Sequence, residues 1–182
     1  MRRLNLLNDD FVLGEAMELL RRTPLILRAW LSGLPEGWTT ATEGPETWSP
    51  FDVLGHLIHG ERTDWIPRAK HILSEESHTP FEPFDRFAQL RESEGKSLEK
   101  LLDDFETVRL KNIEELSAFQ LGAVELEMRG IHPAFGTVTL RQLLATWVAH
   151  DLSHLSQISR VMAKRYKEEV GPWKKYLRVL QP

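Results

Sequence analysis

Four stretches of this chain carry apolar residues at alternating steps of three and four, a period that suits helices and leaves little room for a sheet. Leu13, Met17, Leu20, Leu27 and Leu31 mark the first, a helix predicted from about Asp10 to Leu34 and kinked or divided at Pro24. The second is predicted from about Pro50 to Leu73. Ser49 can cap a free backbone N–H there, Pro50 takes the first helical position, where no N–H is needed, and Asp52 lies in the first turn. Pro67 marks a bend late in this helix. Leu98, Leu101, Leu102, Phe105, Val108, Ile113, Leu116 and Phe119 form the stripe of a third helix, about Ser97 to Gln120, and Thr139 opens a fourth that continues to about Lys167. The segment GLPEGWTTATEGPETWSP and the carboxylate-rich run Ser74 to Pro83 read as connections. Leu121 to Val138 can hold a strand-like turn, and a short helical piece, Pro172 to Val179, follows Gly171. Long amphipathic helices with few β-branched runs make the expected class all-α, a four-helix bundle in one domain spanning residues 1–182.

With 182 residues the chain can bury about 70% of its unfolded surface, so size alone demands no staple. It has no cysteine, which excludes disulfides, thiolate nucleophiles and Cys-based zinc or iron–sulfur sites, and leaves any metal to His, Asp, Glu or carbonyl oxygen. Twenty-three basic against 27 acidic residues, a net charge of −4, lack the basic footprint of nucleic-acid binding. The apolar run at the amino terminus is broken by Asn5, by Asn8 to Asp10 and by Glu15, which suits neither a signal peptide nor a membrane span, so a cytoplasmic location is expected. Phosphate-cradling glycine loops and a G-x-S-x-G elbow are absent.

The informative residues are histidines. Leu143, Trp147, His150, His154, Ile158 and Val161 share one face of the fourth helix, so two imidazoles interrupt an otherwise apolar, core-facing stripe. An unsatisfied buried group costs about 1–3 kcal/mol, and two imidazoles one turn apart repel if both are charged. The spacing H-x-x-x-H brings two ring nitrogens toward a common point, as in zinc sites. It equally suits two histidines bonded to carboxylates or carbonyls in a polar layer of the bundle. The sequence between them, Asp151-Leu152-Ser153, lacks the glutamate of the zinc-protease helix. A third ligand must come from another helix. In the second, His56 borders the apolar arc set by Val53 and Leu57, whereas His59 points about 60° farther from it. His71, His78 and His132 read as surface or turn residues.

Trp48-Ser49-Pro50, then Val53-Leu54-Gly55-His56-Leu57 and Glu61, with His150-x-x-x-His154 near the end, resemble the DinB-like superfamily of four-helix metalloproteins. The early Arg22-Thr23-Pro24 falls in the expected order, so the resemblance covers most of the chain. It implies a divalent metal, nickel or zinc, held by three histidines, which by position are His56, His150 and His154. It also implies a homodimer and a bundle ordered up, down, down, up, with a long crossover between helices two and three that matches residues 74–96. Some relatives transfer or isomerise groups with a low-molecular-weight thiol, and others are labelled hydrolases.

A three-histidine centre keeps a position open for water or substrate and can pull a water's pKa toward neutrality or hold an incoming thiol as thiolate. The expected function is metal-dependent hydrolysis or thiol-dependent transfer on a small molecule. The alternative is a non-catalytic metal-binding or sensing bundle on the same histidines. Gln157 projects near the face of His150 and His154. Asp52, Glu61 or Asp151 can receive the second N–H of a ligand imidazole, or else serve as a first-turn acid and two solvated groups. Trp48 and Trp147 can wall a pocket, but aromatics at such spacing are more often bundle core, and neither is given a catalytic role. Lys164, Arg165 and Lys167 suit a helix C-terminus without a partner, and the run Gly171 to Tyr176 is expected to dock the tail onto the bundle, with Trp173 serving a dimer contact as the alternative. Since ligand imidazoles must be neutral, metal affinity is expected to fall near the free histidine pKa of about 6.5.

Overall fold

The computed structural model describes residues 11–181; the expected helix start at Asp10 and the reading of the first ten residues lie outside them. The four rods are α1 (Leu13–Leu31), α3 (Pro50–Thr63) continued by α4 (Trp65–Leu73), α6 (Leu98–Ala118) and α8 (Leu140–Lys164). Short helices lie between them: α2 (Glu36–Thr39), α5 (Ala88–Glu92) and α7 (Ala123–Leu126). The strand-like turn is an antiparallel hairpin of β1 (Arg129–His132) and β2 (Gly136–Thr139), in register from Arg129 opposite Thr139 to His132 opposite Gly136. The tail forms two 3-10 turns, Gly171–Tyr176 and Arg178–Leu180. No helix among the described residues is long and apolar enough to cross a membrane.

Caps set where the rods begin. Ser49 Oγ accepts from the Asp52 N–H at 3.2 Å while Asp52 Oδ2 accepts from the Ser49 N–H at 2.9 Å, a reciprocal box that fixes the start of α3. Thr139 and Gln142 form the same box at α8, and Ser97 caps α6. Two prolines mark the first and second rods, and one of them acts differently from expectation. The second rod breaks at Asp64, not at Pro67. A proline at 67 cannot donate to the carbonyl of Thr63 and its ring crowds that carbonyl, so the chain turns one residue after Thr63 and Pro67 falls into the first turn of α4, where no N–H is required. Pro24 sits inside α1 without dividing it. The Leu20 carbonyl, deprived of its usual donor four residues on, accepts from Nη1 of Arg109 at 2.9 Å.

The core has two apolar halves. One gathers Trp65, Ile72, Ile113, Leu116, Leu140 and Trp147; the other gathers Leu27, Leu31, Leu54, Leu57, Phe105 and Ile158. Between them each rod contributes polar residues: Thr23 from α1, His56 and Glu61 from α3, Arg109 and Asn112 from α6, His150, Asp151 and His154 from α8. A polar belt therefore crosses the middle of the bundle. α5 lies directly on α3 at Gly55, where a Cβ would press on Ser93 Oγ and meet Gln89 Cβ at 3.4 Å. Gly130 likewise lets the hairpin approach Phe81 and Ile72 more closely than any side chain allows.

The end of α8 is not left to the dipole. Arg160 donates twice to Glu43, at 3.0 and 2.8 Å, and Lys164 donates to the Glu43 carbonyl at 3.1 Å, tying the first connection down. In the tail Leu180 is buried, whereas Trp173 is 68% exposed.

Candidate metal centre

Half of the polar belt is closed on itself. Arg109 is fully buried, and its guanidinium donates to Asp151 Oδ2 at 2.6 Å, Asp151 Oδ1 at 3.0 Å and Glu61 Oε1 at 2.8 Å. Trp147 Nε1 adds a bond to Glu61 Oε1 at 2.9 Å, Asn112 one to Oε2 at 2.9 Å, and Thr23 one to Asp151 Oδ2 at 2.6 Å. Burial pushes the Glu61 carboxyl up, and Arg109 pulls against it. Glu61 and Asp151 are thus neither solvated nor bonded to a ligand imidazole: they anchor α3 and α8 to α6. Asp52 is likewise occupied by the cap of α3.

The other half is the histidine cluster. His56 Nε2 lies 3.1 Å from His150 Nε2, which lies 3.1 Å from His154 Nε2, and ligand atoms of all three fall within 4.8 Å of one another. Nitrogens about 2.0–2.1 Å from a tetrahedral zinc stand roughly 3.3 Å apart, so two edges of the triangle already have that length. The donor set, three imidazoles without sulfur or carboxylate, fits a divalent transition metal. Burial first, then the charges of neighbouring histidines, pushes His56 and His150 down to about 3, and burial also lowers His154. The rings are therefore neutral at pH 7, as ligation requires. The free-histidine value of about 6.5 does not describe His56 and His150 in the fold.

Gln157 Oε1 lies 2.9 Å from His154 Nδ1, which fixes that ring with Nδ1 as donor and Nε2 bare toward the cluster. His56 Nδ1 and His150 Nδ1 are buried without a partner among the described residues. Their rings are held by packing instead. Trp48 lies 4.8 Å from the His56 ring and stacks on His154 at 6.3 Å, Phe84 meets His56 edge-on at 5.5 Å, and Trp65 meets His150 at 5.1 Å. Trp48 is thus part of the wall, whereas Trp147 is core. His59 is buried but separate, because α5 covers it and brings Glu92 to its Nδ1 at 3.0 Å. His71 and His78 bond to nearby loop carbonyls, and His132 lies at the hairpin tip.

The cluster forms one end of an open cavity of about 750 Å³. His56, Gly60, Asp64 and Arg68 line it at four-residue steps along α3 and α4, and Gln142, Thr146, His150 and His154 do so along α8. Its remaining walls are mostly apolar and rich in aromatic rings, from Trp65, Phe81 and Phe84 to Phe135 on the hairpin. The strap of residues 81–86 and the hairpin tip carried no period in the sequence. Arg109 did leave a signal, a charge four residues from both Phe105 and Ile113 in the apolar stripe of α6.

Among solved structures, YfiT from Bacillus subtilis, described as a probable metal-dependent hydrolase with an unusual four-helix bundle topology, matches with a TM-score of 0.73 at 19% identity, over 91% of this chain and 93% of that one. At that identity the likeness shows the fold. No curated protein is matched by the sequence. Residues 19–158, which hold the Arg22-Thr23-Pro24 run, the capped start of α3 and all three converging histidines, match the DinB superfamily, and the chain belongs to that superfamily.

Proposed function

We propose that the protein is a metal-dependent hydrolase of a small molecule, with one divalent cation, nickel or zinc, held on Nε2 of His56, His150 and His154. The observation that carries this reading is the convergence of three neutral ring nitrogens at the wall of an open cavity. Bound there, a divalent cation would polarise a carbonyl and lower the pKa of a water. Neutral ligands would leave that cation its full charge, and Gln157 presents His154 with Nε2 bare for it. Trp48 and Phe84 limit water around the rings, and the aromatic walls bind and orient an apolar body. YfiT carries the same activity class in its description, which supports the reading. An open cavity, rather than a site sealed by a fourth side chain, favours catalysis over a purely structural or sensing role.

One observation favours a second reading, transfer from a low-molecular-weight thiol. A second chamber of about 880 Å³, lined by polar residues that include Gln157 and Arg160, reaches His154 from the other side of Trp48 and gives a second reactant room. Metal analysis of untagged protein dialysed against zinc or nickel, then a screen of esters and amides with and without added thiols, tests both. We expect about one equivalent of metal, lost in His150→Ala. Unchanged affinity in that variant removes His150 from the site and ends the proposal.

A further inference from the structure

Two guanidinium groups line the cavity, and their circumstances differ. Arg68 is buried and committed: its Nε lies 2.5 Å from Asp64 Oδ1, Nη2 donates to the Glu82 carbonyl at 3.4 Å, and its plane rests on Phe81 at 5.2 Å. Arg86 is exposed, and no carboxylate among the described residues lies within 4.0 Å of it. Of the acids around it, Asp85 holds Arg91 at 2.7 Å, Glu43 holds Arg160 and Asp52 caps α3, while Glu46 lines the polar chamber with Arg86 but lies more than 4.0 Å from its guanidinium. Arg86 lies over Trp48 with Cζ 6.0 Å from the ring centre and over Phe87 at 5.2 Å. Trp48 in turn packs against His56 and His154. Arg86 lines both the aromatic cavity and the polar chamber beside it.

We propose that the substrate is an organic carboxylate with an apolar, aromatic-sized body, and that Arg86 binds its carboxylate while the body fills the aromatic cavity. The inference rests on the reading of the histidine cluster as an active site. The charge balance leads to it. Asp64 is the one carboxylate among the described residues that lines the aromatic cavity, and Arg68 already compensates it. Neutral imidazoles offset nothing, so Arg86 and a bound cation leave the cavity positive and an entering anion balances it. Stacking on aromatic faces leaves the edge of a guanidinium free, and that edge offers the parallel N–H pair that a planar carboxylate accepts.

The test is calorimetric titration of 2-naphthoate and its neutral counterpart 2-naphthamide into zinc-loaded and metal-free protein, with zinc content measured for every sample. Wild type should bind the anion about tenfold more tightly than the amide. Arg86→Gln should remove that preference, with zinc content and amide affinity unchanged, and Arg86→Lys should restore part of it. Equal affinities in wild type, a preference that survives Arg86→Gln, or no saturable binding of either probe overturns the proposal. So does a preference lost on removing zinc but kept without Arg86, because the cation would then hold the carboxylate. Failure of wild type to take up metal sinks the active-site reading instead, and the metal-free titrations still report on Arg86.

Discussion

The polar belt has two halves built from the same rods, and their difference is instructive. Glu61 lies five residues beyond His56 on α3, and Asp151 adjoins His150 on α8. Yet the carboxylates meet a guanidinium, an amide, an indole and a hydroxyl within bonding distance, whereas the imidazoles meet chiefly one another. Burial of polar groups is tolerated when partners compensate desolvation. The first half is compensated within the chain at every charged group, with Arg109 Nε its one buried atom without a partner among the described residues, and acts as structure. The second leaves Nε2 facing Nε2, with two Nδ1 atoms unpaired among the described residues, and this is the donor arrangement on which the proposed cation rests.

The sharpest way to break this contrast is Arg109→Met. Removing one member of a buried ion network leaves two carboxylates uncompensated, and a loss of about 3–5 kcal/mol in urea unfolding is expected. A loss below about 1 kcal/mol would deny that the network is structural. The histidine half should respond to pH instead. Because burial holds His56 and His150 near 3 against 6.5 for a free ring, the unfolded chain binds more protons across that interval, and stability falls as pH drops through it. In the metal-free protein each of these rings should cost about 2 kcal/mol by roughly pH 5. The slope should shrink in His150→Ala, and an identical slope there would show that the ring titrates normally. Gln157→Leu frees His154 Nδ1 and should weaken zinc affinity about tenfold by competition with a chelator. Ser49→Ala removes half of the cap that starts α3 and should cost about 1 kcal/mol in thermal or urea unfolding, with no change in zinc stoichiometry.

What the sequence made legible follows from range. The rods and the shared face of His150 and His154 are local matters of three- and four-residue steps, and a single helix suffices to show them. Pairing those two with His56 rather than His59 rested on a wheel angle and on the family resemblance. The structure brings His56 to them and covers His59 with α5, a five-residue helix too short to show a period. Glu61 and Asp151 were misread because their partner, Arg109, lies on another rod. The break at Asp64 needed the reach of Pro67 back to Thr63, and the cavity needed the strap and hairpin, whose placement depends on contacts far away in sequence.

Pro24 has a consequence for assembly. A mid-helix proline ordinarily costs about 3 kcal/mol, but here the interruption leaves one peptide oxygen of α1 vacant at the depth where Arg109 arrives. Shifted axially by one turn, α1 would offer the arginine only oxygens already engaged in its own ladder. A missing hydrogen atom thus works as an alignment notch for the first rod, and since Thr23 beside it also grips Asp151, that alignment carries through to the residue next to His150.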